Sequence, residues 1–285
     1  MPSAFALSRV RGMDAVELRT TDGARATVLL HGGHLLSWVP AGADEQLFVS
    51  EKSAFAPERP VRGGVPVVFP QFAARGPLTQ HGFARVKPWQ LVMAEQGHDD
   101  ATAVMRLTDD ANTRLLWPHA FALELKVHIC GKALTLTLSC LNRGAAPFDF
   151  ACALHTYLRL DDLRHCSVQG LNGLRYWDSV ELLEKAEADD VLMPEGNIDR
   201  IYRGLGQALL FCERQGPSDR KLEIRQHGFK DAVIWNPGAQ KCAAMADMQA
   251  GEQEHMLCIE AANIFQRIQL EAGASWSGSQ TLTLL

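Results

Sequence analysis

The fold is decided by the stretch from Leu123 to Leu138, which reads LELKVHICGKALTLTL. Apolar and polar residues alternate on both sides of Gly131-Lys132, and a period of two is typical of a half-buried β-strand. A short glycine-containing connection between two such runs indicates a β-hairpin. We therefore predict adjacent antiparallel strands at Leu123–Ile129 and Leu134–Leu138.

Strand-like runs recur along the rest of the chain, whereas helical patterns are few and short. Clusters of Gly, Pro, Asp and Asn separate the runs, and no helix is predicted between them. This order is typical of an antiparallel sandwich rather than a parallel α/β sheet. We therefore predict an all-β fold, with residues 1–285 in a single domain. The further predicted strands are Ala26–Leu30, Leu35–Pro40, Phe148–Leu160, Ala208–Cys212, Leu222–Gln226, Val233–Asn236, Met256–Ala262, Gln266–Glu271 and Gln280–Leu285.

The composition excludes several classes of protein. Of the 285 residues 47% are hydrophobic, which is enough for a large core. The net charge is -5 and the cationic residues are dispersed, so a nucleic-acid partner is not expected. No apolar run approaches the roughly 18 residues of a membrane-spanning helix, and charged residues interrupt the segment Met1–Thr20, so neither a membrane partner nor an export signal is expected. The 7 cysteines form no C-x-x-C pair, which favours a reducing, cytoplasmic location without a zinc site.

A first candidate functional residue, His155, lies in the predicted strand Phe148–Leu160. Side chains alternate between the two faces of a strand, so His155 shares its face with small and polar residues. Such a face leaves room for a ligand, although a histidine hydrogen-bonded within the sheet for structural reasons remains the alternative. The residues of this face are Asp149, Ala151, Ala153, His155, Tyr157 and Arg159.

A second candidate, Glu260, interrupts the apolar run Met256–Asn263. Burial of a carboxylate is costly unless the group is paired or its pKa rises. Glu260 is therefore either a structural partner of another side chain or a base tuned by its surroundings. Only the fold could bring it close to His155, because the two are far apart in the chain.

A third cluster combines glycine and arginine in the segment Arg59–Phe72, with the segment Gln80–Arg85 shortly after it. Gly63-Gly64 allows the backbone to pass close to a ligand, and guanidinium groups beside such a loop could bind an anion. Taken singly, Arg62 and Arg85 would more often form surface ion pairs. The value of the cluster lies in the combination of its residues.

Five motifs in order resemble the glucose-6-phosphate 1-epimerase branch of the aldose 1-epimerase family. The resemblance extends from about Gly32 to the last strand, which is nearly the whole chain. It implies a galactose-mutarotase-like antiparallel β-supersandwich, in agreement with the strands predicted above. The motifs are Arg62–Phe72, His81–Arg85, Leu154–Tyr157, Val233–Pro237 and Ile259–Ala262.

The resemblance also implies a reaction, the interconversion of the α and β anomers of a hexose 6-phosphate without metal or other cofactor. It implies that His155 is the general acid and Glu260 the general base. The substrate-binding residues that it implies are Arg62, Gln80, Arg85 and Asp199, with His81 as a ring contact or an alternative proton donor. A turn aspartate is the alternative for Asp199. Arg62 and Arg85 are expected to bind the phosphate, with Arg59 as a weaker third cation.

Two other functions remain open from the sequence. The same acid and base would serve an aldose 1-epimerase for unphosphorylated sugars, and the fold would also suit a non-catalytic carbohydrate-binding protein. The presence of both His155 and Glu260 favours an enzyme, because binding alone needs no acid and base pair. The expected partner is a small sugar phosphate, and we expect a monomer, with a weak dimer as the alternative.

Overall fold

The computed structural model describes residues 7–215 and 218–285. The prediction that no export signal is present rests on the segment Met1–Thr20, whose first six residues lie outside the described residues. In the described part no helix is long and apolar enough to cross a lipid bilayer. The prediction of an all-β fold is confirmed, because antiparallel strands dominate and both α-helices are short.

The strands are numbered in chain order. They are β1 Ser8–Val10, β2 Met13–Arg19, β3 Arg25–Leu29, β4 His34–Val39, β5 Val67–Val68, β6 Gln90–Gln96, β7 Asp100–Thr108, β8 Phe121–Cys130, β9 Ala133–Asn142, β10 Phe148–Leu154, β11 Tyr157–Arg159, β12 Cys166–Gln169, β13 Arg175–Asp178, β14 Leu183–Ala186, β15 Val191–Leu192, β16 Asn197–Arg203, β17 Leu209–Gln215, β18 Ser218–His227, β19 Asp231–Pro237, β20 Met256–Leu270 and β21 Ser275–Leu284. The helices are α1 Ala111–Leu116 and α2 Gly238–Ala244, with short 3₁₀ turns at Ala84–Val86, Leu163–His165 and Glu252–His255.

The hairpin predicted from the opening stretch is present. Strands β8 and β9 pair in an antiparallel ladder that ends at Cys130 opposite Ala133. Gly131-Lys132 is therefore the two-residue turn, and Gly131 adopts a positive φ of 57°. The alternating apolar residues of both strands face the interior, as their period of two requires.

The strands form two large sheets and a smaller one. The large outer sheet has the order β15-β12-β17-β18-β21-β9-β8-β7-β6. The central sheet has the order β14-β13-β16-β19-β20-β10-β5, with β11 also paired to β20, and the third sheet is β1-β2-β3-β4. Residues of both large sheets share one hydrophobic core, for example Leu125 and Leu136 of the outer sheet with Phe150 and Ile234 of the central sheet.

The central sheet is buried on both faces, and β10 shows this directly. Phe150 and Leu154 belong to the large core between the sheets, whereas Ala151 and Ala153 belong to a second cluster on the opposite face. This is the division of faces that the sequence predicts. The face of Ala151 and Ala153 carries the candidate site.

Two predicted strand boundaries were wrong. The predicted strand Phe148–Leu160 is interrupted at His155-Thr156, where the Thr156 backbone N–H donates to the Leu154 carbonyl at 3.0 Å instead of to β20. The run Met256–Ala262 and all of the run Gln266–Glu271 except Glu271 belong to the single strand β20, which ends at Leu270. The interruption places His155 at the end of β10, beside the middle of β20.

Candidate active site

The floor of the candidate site is one row of side chains across the central sheet. Trp177 pairs with Ile201, Ile201 with Val233, and Val233 with Glu260. Leu154 pairs with Ala261, so the next residue, His155, lies beside Glu260. These five residues, Trp177, Ile201, Val233, Glu260 and His155, line a cavity of about 660 Å³.

A second row runs parallel to the first on the same face. Tyr157 pairs with Cys258, Cys258 with Trp235, and Trp235 with Asp199. Asp199 lies within β16 rather than in a turn, and it lines the cavity together with Trp235. Burial raises the pKa of the Asp199 carboxyl, and a hydrogen bond from Ser179 opposes this rise.

His155 and Glu260 are in direct contact at one end of the floor. The distance from His155 Nε2 to Glu260 Oε1 is 3.3 Å, and the two side chains are only 8% and 1% exposed. Burial holds the pKa of His155 well below its ordinary value, and repulsion from His81 lowers it further. Burial also raises the pKa of Glu260 well above its ordinary value, and the nearby Asp199 carboxylate adds to the rise. The lowered pKa of His155 and the raised pKa of Glu260 both favour a neutral pair, in which one proton is shared between the carboxyl and the imidazole.

The outer atoms of this pair are available to a ligand. Neither His155 Nδ1 nor Glu260 Oε2 has a hydrogen-bond partner among the described residues, although both atoms are buried. Buried polar atoms are rarely left without a partner, and such atoms at the floor of a cavity indicate a site for a polar ligand.

Aromatic rings hold the imidazole of His155 in place. The Tyr157 ring stacks on it with centroids 4.7 Å apart and an interplanar angle of 11°. The rings of His81 and Trp235 meet it edge-on, at 5.5 Å and 5.8 Å. The orientation of the predicted acid therefore depends on packing as well as on its contact with Glu260.

Arg62 connects this stack to a loop beyond α2. Its Nη1 donates to the Tyr157 hydroxyl at 2.9 Å, and its Nε and Nη2 lie 3.1 Å and 2.9 Å from Asp247 Oδ2. Although burial opposes the charged form, Tyr157 and the Asp247 carboxylate leave the pKa of Arg62 above its ordinary value. Arg62 is thus a fixed cation at the His155 end of the cavity.

His81 lines the cavity from a loop and adopts a positive φ of 66°. The Ala73 backbone N–H donates to His81 Nδ1 at 3.3 Å, so the ring proton is on Nε2. Burial and the cations Arg85 and Arg62 lower the pKa of His81 to about 3. A neutral imidazole can donate a hydrogen bond to a sugar oxygen but is a poor source of protons, which favours the ring contact over the alternative proton donor.

Arg85 lies behind the same loop and does not line the cavity. Its Nη2 donates to the Gln80 carbonyl at 2.8 Å, and no carboxylate of the described residues forms an ion pair with it. Burial lowers the pKa of Arg85 to about 10, and the neighbouring Arg62 contributes to this shift. Arg85 is therefore a half-buried cation whose charge is not compensated by an ion pair.

The structure brings most of the predicted site residues together. Arg62, Gln80, His81, His155, Asp199 and Glu260 all line the one cavity. Arg59 does not line this cavity. It is exposed, and its carbonyl oxygen lies 2.7 Å from His31 Nε2. Within the ranges that the structure describes, no group of His, Cys, Asp or Glu side chains is arranged to hold a metal ion.

Sequence reasoning missed three charged residues of the cavity. Asp247 lies on a loop with no pattern that would single it out. Arg75 follows the glycine and arginine cluster closely, and Lys241 follows the motif Val233–Pro237, so their positions beside these segments could have suggested them. Trp235 lies inside that motif, but the sequence gives no indication of its role.

Comparisons with known proteins find similarity along most of the chain. The family model described as "Aldose 1-epimerase" matches residues 14–283. A protein of Cenchrus ciliaris is 31% identical, covering 99% of this chain and 89% of the relative, and one of Escherichia coli K12 is 33% identical, covering 90% and 86%. Both relatives are named "Putative glucose-6-phosphate 1-epimerase".

Solved structures of other proteins show a fold similar to that of this chain. The crystal structure of a "putative mutarotase" from Salmonella typhimurium superposes with a TM-score of 0.90 at 26% identity, covering 100% of this chain and 95% of the other. A "galactose mutarotase related enzyme" from Lactobacillus acidophilus superposes with a TM-score of 0.75 at 14% identity, covering 95% and 97%. At that identity the second similarity concerns the fold alone.

Proposed function

Because the chain belongs to the aldose 1-epimerase family, we propose that it interconverts the α and β anomers of a hexose 6-phosphate, with glucose 6-phosphate as substrate. The chain is an enzyme of the isomerase class. The names of the relatives from Cenchrus ciliaris and Escherichia coli support the phosphorylated substrate, since both align along most of the chain. The observation that carries the proposal is the buried contact between His155 and Glu260 on the cavity floor.

Anomer exchange requires two proton transfers on neighbouring oxygens. One proton leaves the hydroxyl on C1 and another arrives at the ring oxygen, so that the bond from C1 to the ring oxygen breaks. Rotation about the bond from C1 to C2 then allows the ring to close on the other face. Glu260 accepts the first proton and His155 delivers the second, and both transfers reverse on closure. Each positioned acid or base typically contributes about 10² to 10⁴ in rate.

The pKa shifts of the pair favour both transfers. A carboxylate with a raised pKa binds the C1 proton strongly, and an imidazolium with a lowered pKa releases its proton readily. The reactive form has the shared proton on His155, and the direct contact at 3.3 Å allows that proton to move between the two groups. When the ring has opened, the proton is on Glu260 and His155 is neutral, which is the form that burial favours.

We propose that the phosphate is bound by Arg62, which lines the cavity, with Arg85 acting on it from behind Gln80. Two guanidinium groups repel each other there, and among residues 7–215 and 218–285 Arg62 has a carboxylate partner, Asp247, whereas Arg85 has none. A phosphate dianion beside both would remove this repulsion and supply the missing counter-charge for Arg85. The half-buried position of Arg85 strengthens the interaction, because water screens it less there than at the surface.

The sugar hydroxyls are bound by Asp199, Gln80 and His81. These residues line the cavity around the acid and base, and each offers a donor or acceptor of hydrogen bonds. His81 donates from Nε2, whereas Asp199 accepts. The apolar residues Val233 and Ile201 cover the floor beside them, as is usual in sites for small ligands.

We also propose a cytoplasmic monomer with a single domain. All seven cysteines are free, which fits a reducing compartment. One hydrophobic core joins the two large sheets, which supports a single unit of folding.

Exchange between the anomers of glucose 6-phosphate, measured by NMR saturation transfer, tests the proposed function. The proposal expects faster exchange with the enzyme than in buffer, and a much smaller acceleration for glucose and galactose. Equal acceleration of phosphorylated and free sugars would favour an aldose 1-epimerase without phosphate specificity. No acceleration of any sugar would favour a carbohydrate-binding protein.

A further inference from the structure

The cavity is longer than one hexose phosphate in the reacting position. The floor row from His155 to Trp177 crosses four strand spacings, which is about 19 Å at the usual separation of paired strands. Glu260 is only one strand away from the His155 end. A sugar that reacts at Glu260 therefore occupies that end, and the Trp177 end is left for another purpose.

Two cations line the part of the cavity beyond Glu260: Arg75 lies beside Trp177, and Lys241 lies beside Trp235 and Asp199. Both are exposed and both line the cavity. Unlike Arg62, which is paired with Asp247, neither of them forms an ion pair with a carboxylate in residues 7–215 and 218–285. Their charges are therefore available to a ligand that approaches from solvent.

Aromatic rings restrict where these two cations can lie. The Arg75 guanidinium is 4.9 Å from the ring centre of Phe265 and 6.0 Å from that of Trp177. The Lys241 ammonium is 5.7 Å from the ring centre of Trp235. Cations over aromatic faces are attracted to them, so both heads are held beside the cavity before a ligand arrives.

The charges around this end favour an anion. Asp199 acts on both Arg75 and Lys241, while Asp178, the other carboxylate that acts on Asp199, is paired with Lys185. Two cations therefore face Asp199. The whole chain has a net charge of -5, so its overall field opposes the approach of a dianion. A local cationic end of the cavity would overcome that opposition.

We propose that Arg75 and Lys241 form an outer phosphate site, which captures the phosphate monoester dianion of the incoming sugar before it reaches Arg62 and Arg85. This inference rests on the proposed function, since it assigns a step in binding to the same phosphorylated substrate. The apolar floor at Ile201 and Val233 separates the outer site from Glu260. A sugar phosphate held at the outer site is thus outside the reacting position. The outer site therefore affects the rate of substrate association rather than the rate of the proton transfers.

The double variant Arg75→Ala with Lys241→Ala tests the outer site in the full chain. A matched control, Lys126→Ala with Arg143→Ala, removes the same charge from exposed residues outside the cavity. We expect the cavity variant to lower kcat/KM for glucose 6-phosphate roughly tenfold or more at low salt, and to show a weaker dependence of kcat/KM on salt than the control. We expect kcat, the exchange of free glucose and the control variant to change little. Equal kcat/KM and equal salt dependence in the two double variants would overturn the proposal.

Binding of inorganic phosphate gives a readout that does not depend on catalysis. The indole N–H signal of Trp177 reports on the outer end in NMR titrations, whereas that of Trp235, whose ring contacts both Lys241 and His155, responds to both ends. We expect a saturable shift of the Trp177 signal in the wild type and in the control, and its loss in the cavity variant. No saturable shift in the wild type would overturn the outer site even if anomer exchange is catalysed. Conversely, a saturable shift without catalysed exchange would support the outer site and count against the proposed function alone.

Discussion

His155 Nε2 lies 3.3 Å from Glu260 Oε1, where β10 ends beside the middle of β20. The contact follows from the register of the two strands, in which Leu154 faces Ala261. Both side chains are buried and each has one polar atom without a partner in the described part of the chain. A carboxyl and an imidazole in contact on a cavity floor suit the proposed reaction, which moves two protons between neighbouring oxygens.

Two variants of Tyr157 separate the effect of its ring, which stacks on His155, from the effect of its hydroxyl, which accepts a hydrogen bond from Arg62. Tyr157→Phe keeps the ring but removes the hydroxyl, so we expect a loss of about 1 to 2 kcal/mol in transition-state stabilisation, or about five- to thirtyfold in kcat. Tyr157→Leu also removes the stacked ring and should lower kcat further. Saturation transfer with glucose 6-phosphate measures both, and equal rates for the two variants would show that the stack does not position His155.

Arg85→Ala tests the proposed binding of the phosphate by Arg62 and Arg85. Since hydrogen bonds to charged groups are worth about 1.5 to 3 kcal/mol, we expect kcat/KM for glucose 6-phosphate to fall about ten- to hundredfold. Free glucose, which has no phosphate, should be handled almost as before. Arg59→Ala is the control, because Arg59 is exposed, whereas Arg85 is half-buried and bonded to Gln80 of the cavity. Equal losses for the two sugars would remove the phosphate role of Arg85.

Gly64 and Gly42 both have a positive φ, of 59° and 67°, but only at Gly64 would an added side chain meet neighbouring atoms. A Cβ on Gly64 would lie 2.3 Å from the Leu35 carbonyl oxygen and 2.6 Å from His34 Nε2, whereas nothing lies within 4 Å at Gly42. We expect Gly42→Ala to lower the free energy of unfolding by about 1 to 2 kcal/mol for its backbone conformation. Gly64→Ala should lower it clearly more, as measured by urea denaturation. Equal losses would mean that the backbone moves to accept the methyl group.

The pKa of His81 predicts how stability depends on pH. Its folded pKa of about 3 lies below the ordinary 6.5, so the unfolded chain binds the proton first as pH falls. Its contribution to stability is therefore present above pH 6.5 and is lost progressively below it. At pH 5 the loss from this one residue is about 2 kcal/mol relative to neutral pH.

His81→Asn isolates that loss, since asparagine tolerates the positive φ of this position better than most residues. We expect the difference in unfolding free energy between pH 7.5 and pH 5 to be smaller in the variant than in the wild type. Urea denaturation at both values measures it. An unchanged difference would show that His81 does not stay neutral in the folded protein.

The fold could be predicted where local pattern and packing agree. The hairpin around Gly131 is an example, because the alternation of β8 and β9 and the glycine turn act within a few residues. The interruption at His155-Thr156 could not be predicted in this way, because the Gln280 side chain, which bonds to the Thr156 hydroxyl and to the Ile259 carbonyl there, is remote in sequence. Strand β16, with the sequence NIDRIYR, was also missed, since its charged residues hide the alternation.

The candidate site could be predicted only in part for the same reason. His155 and Glu260 were single weak signals, and it is the pairing of β10 with β20 that brings them together. Asp247 and Arg75 lie on loops, where no periodic pattern indicates which side chains face a cavity. Their positions depend on contacts with Arg62 and with Trp177 and Phe265, which only the folded chain shows.

The most direct measurement is the exchange of glucose 6-phosphate anomers by NMR saturation transfer, with the wild type beside His155→Ala and Glu260→Gln. Each variant should lose about 10² to 10⁴ in rate, because each lacks one of the two proton-transferring groups. Glu260→Gln should also retain the thermal stability of the wild type, since it removes a buried carboxyl whose Oε2 has no partner in the described residues. Exchange at the wild-type rate in both variants would contradict the assignment of His155 and Glu260 as acid and base.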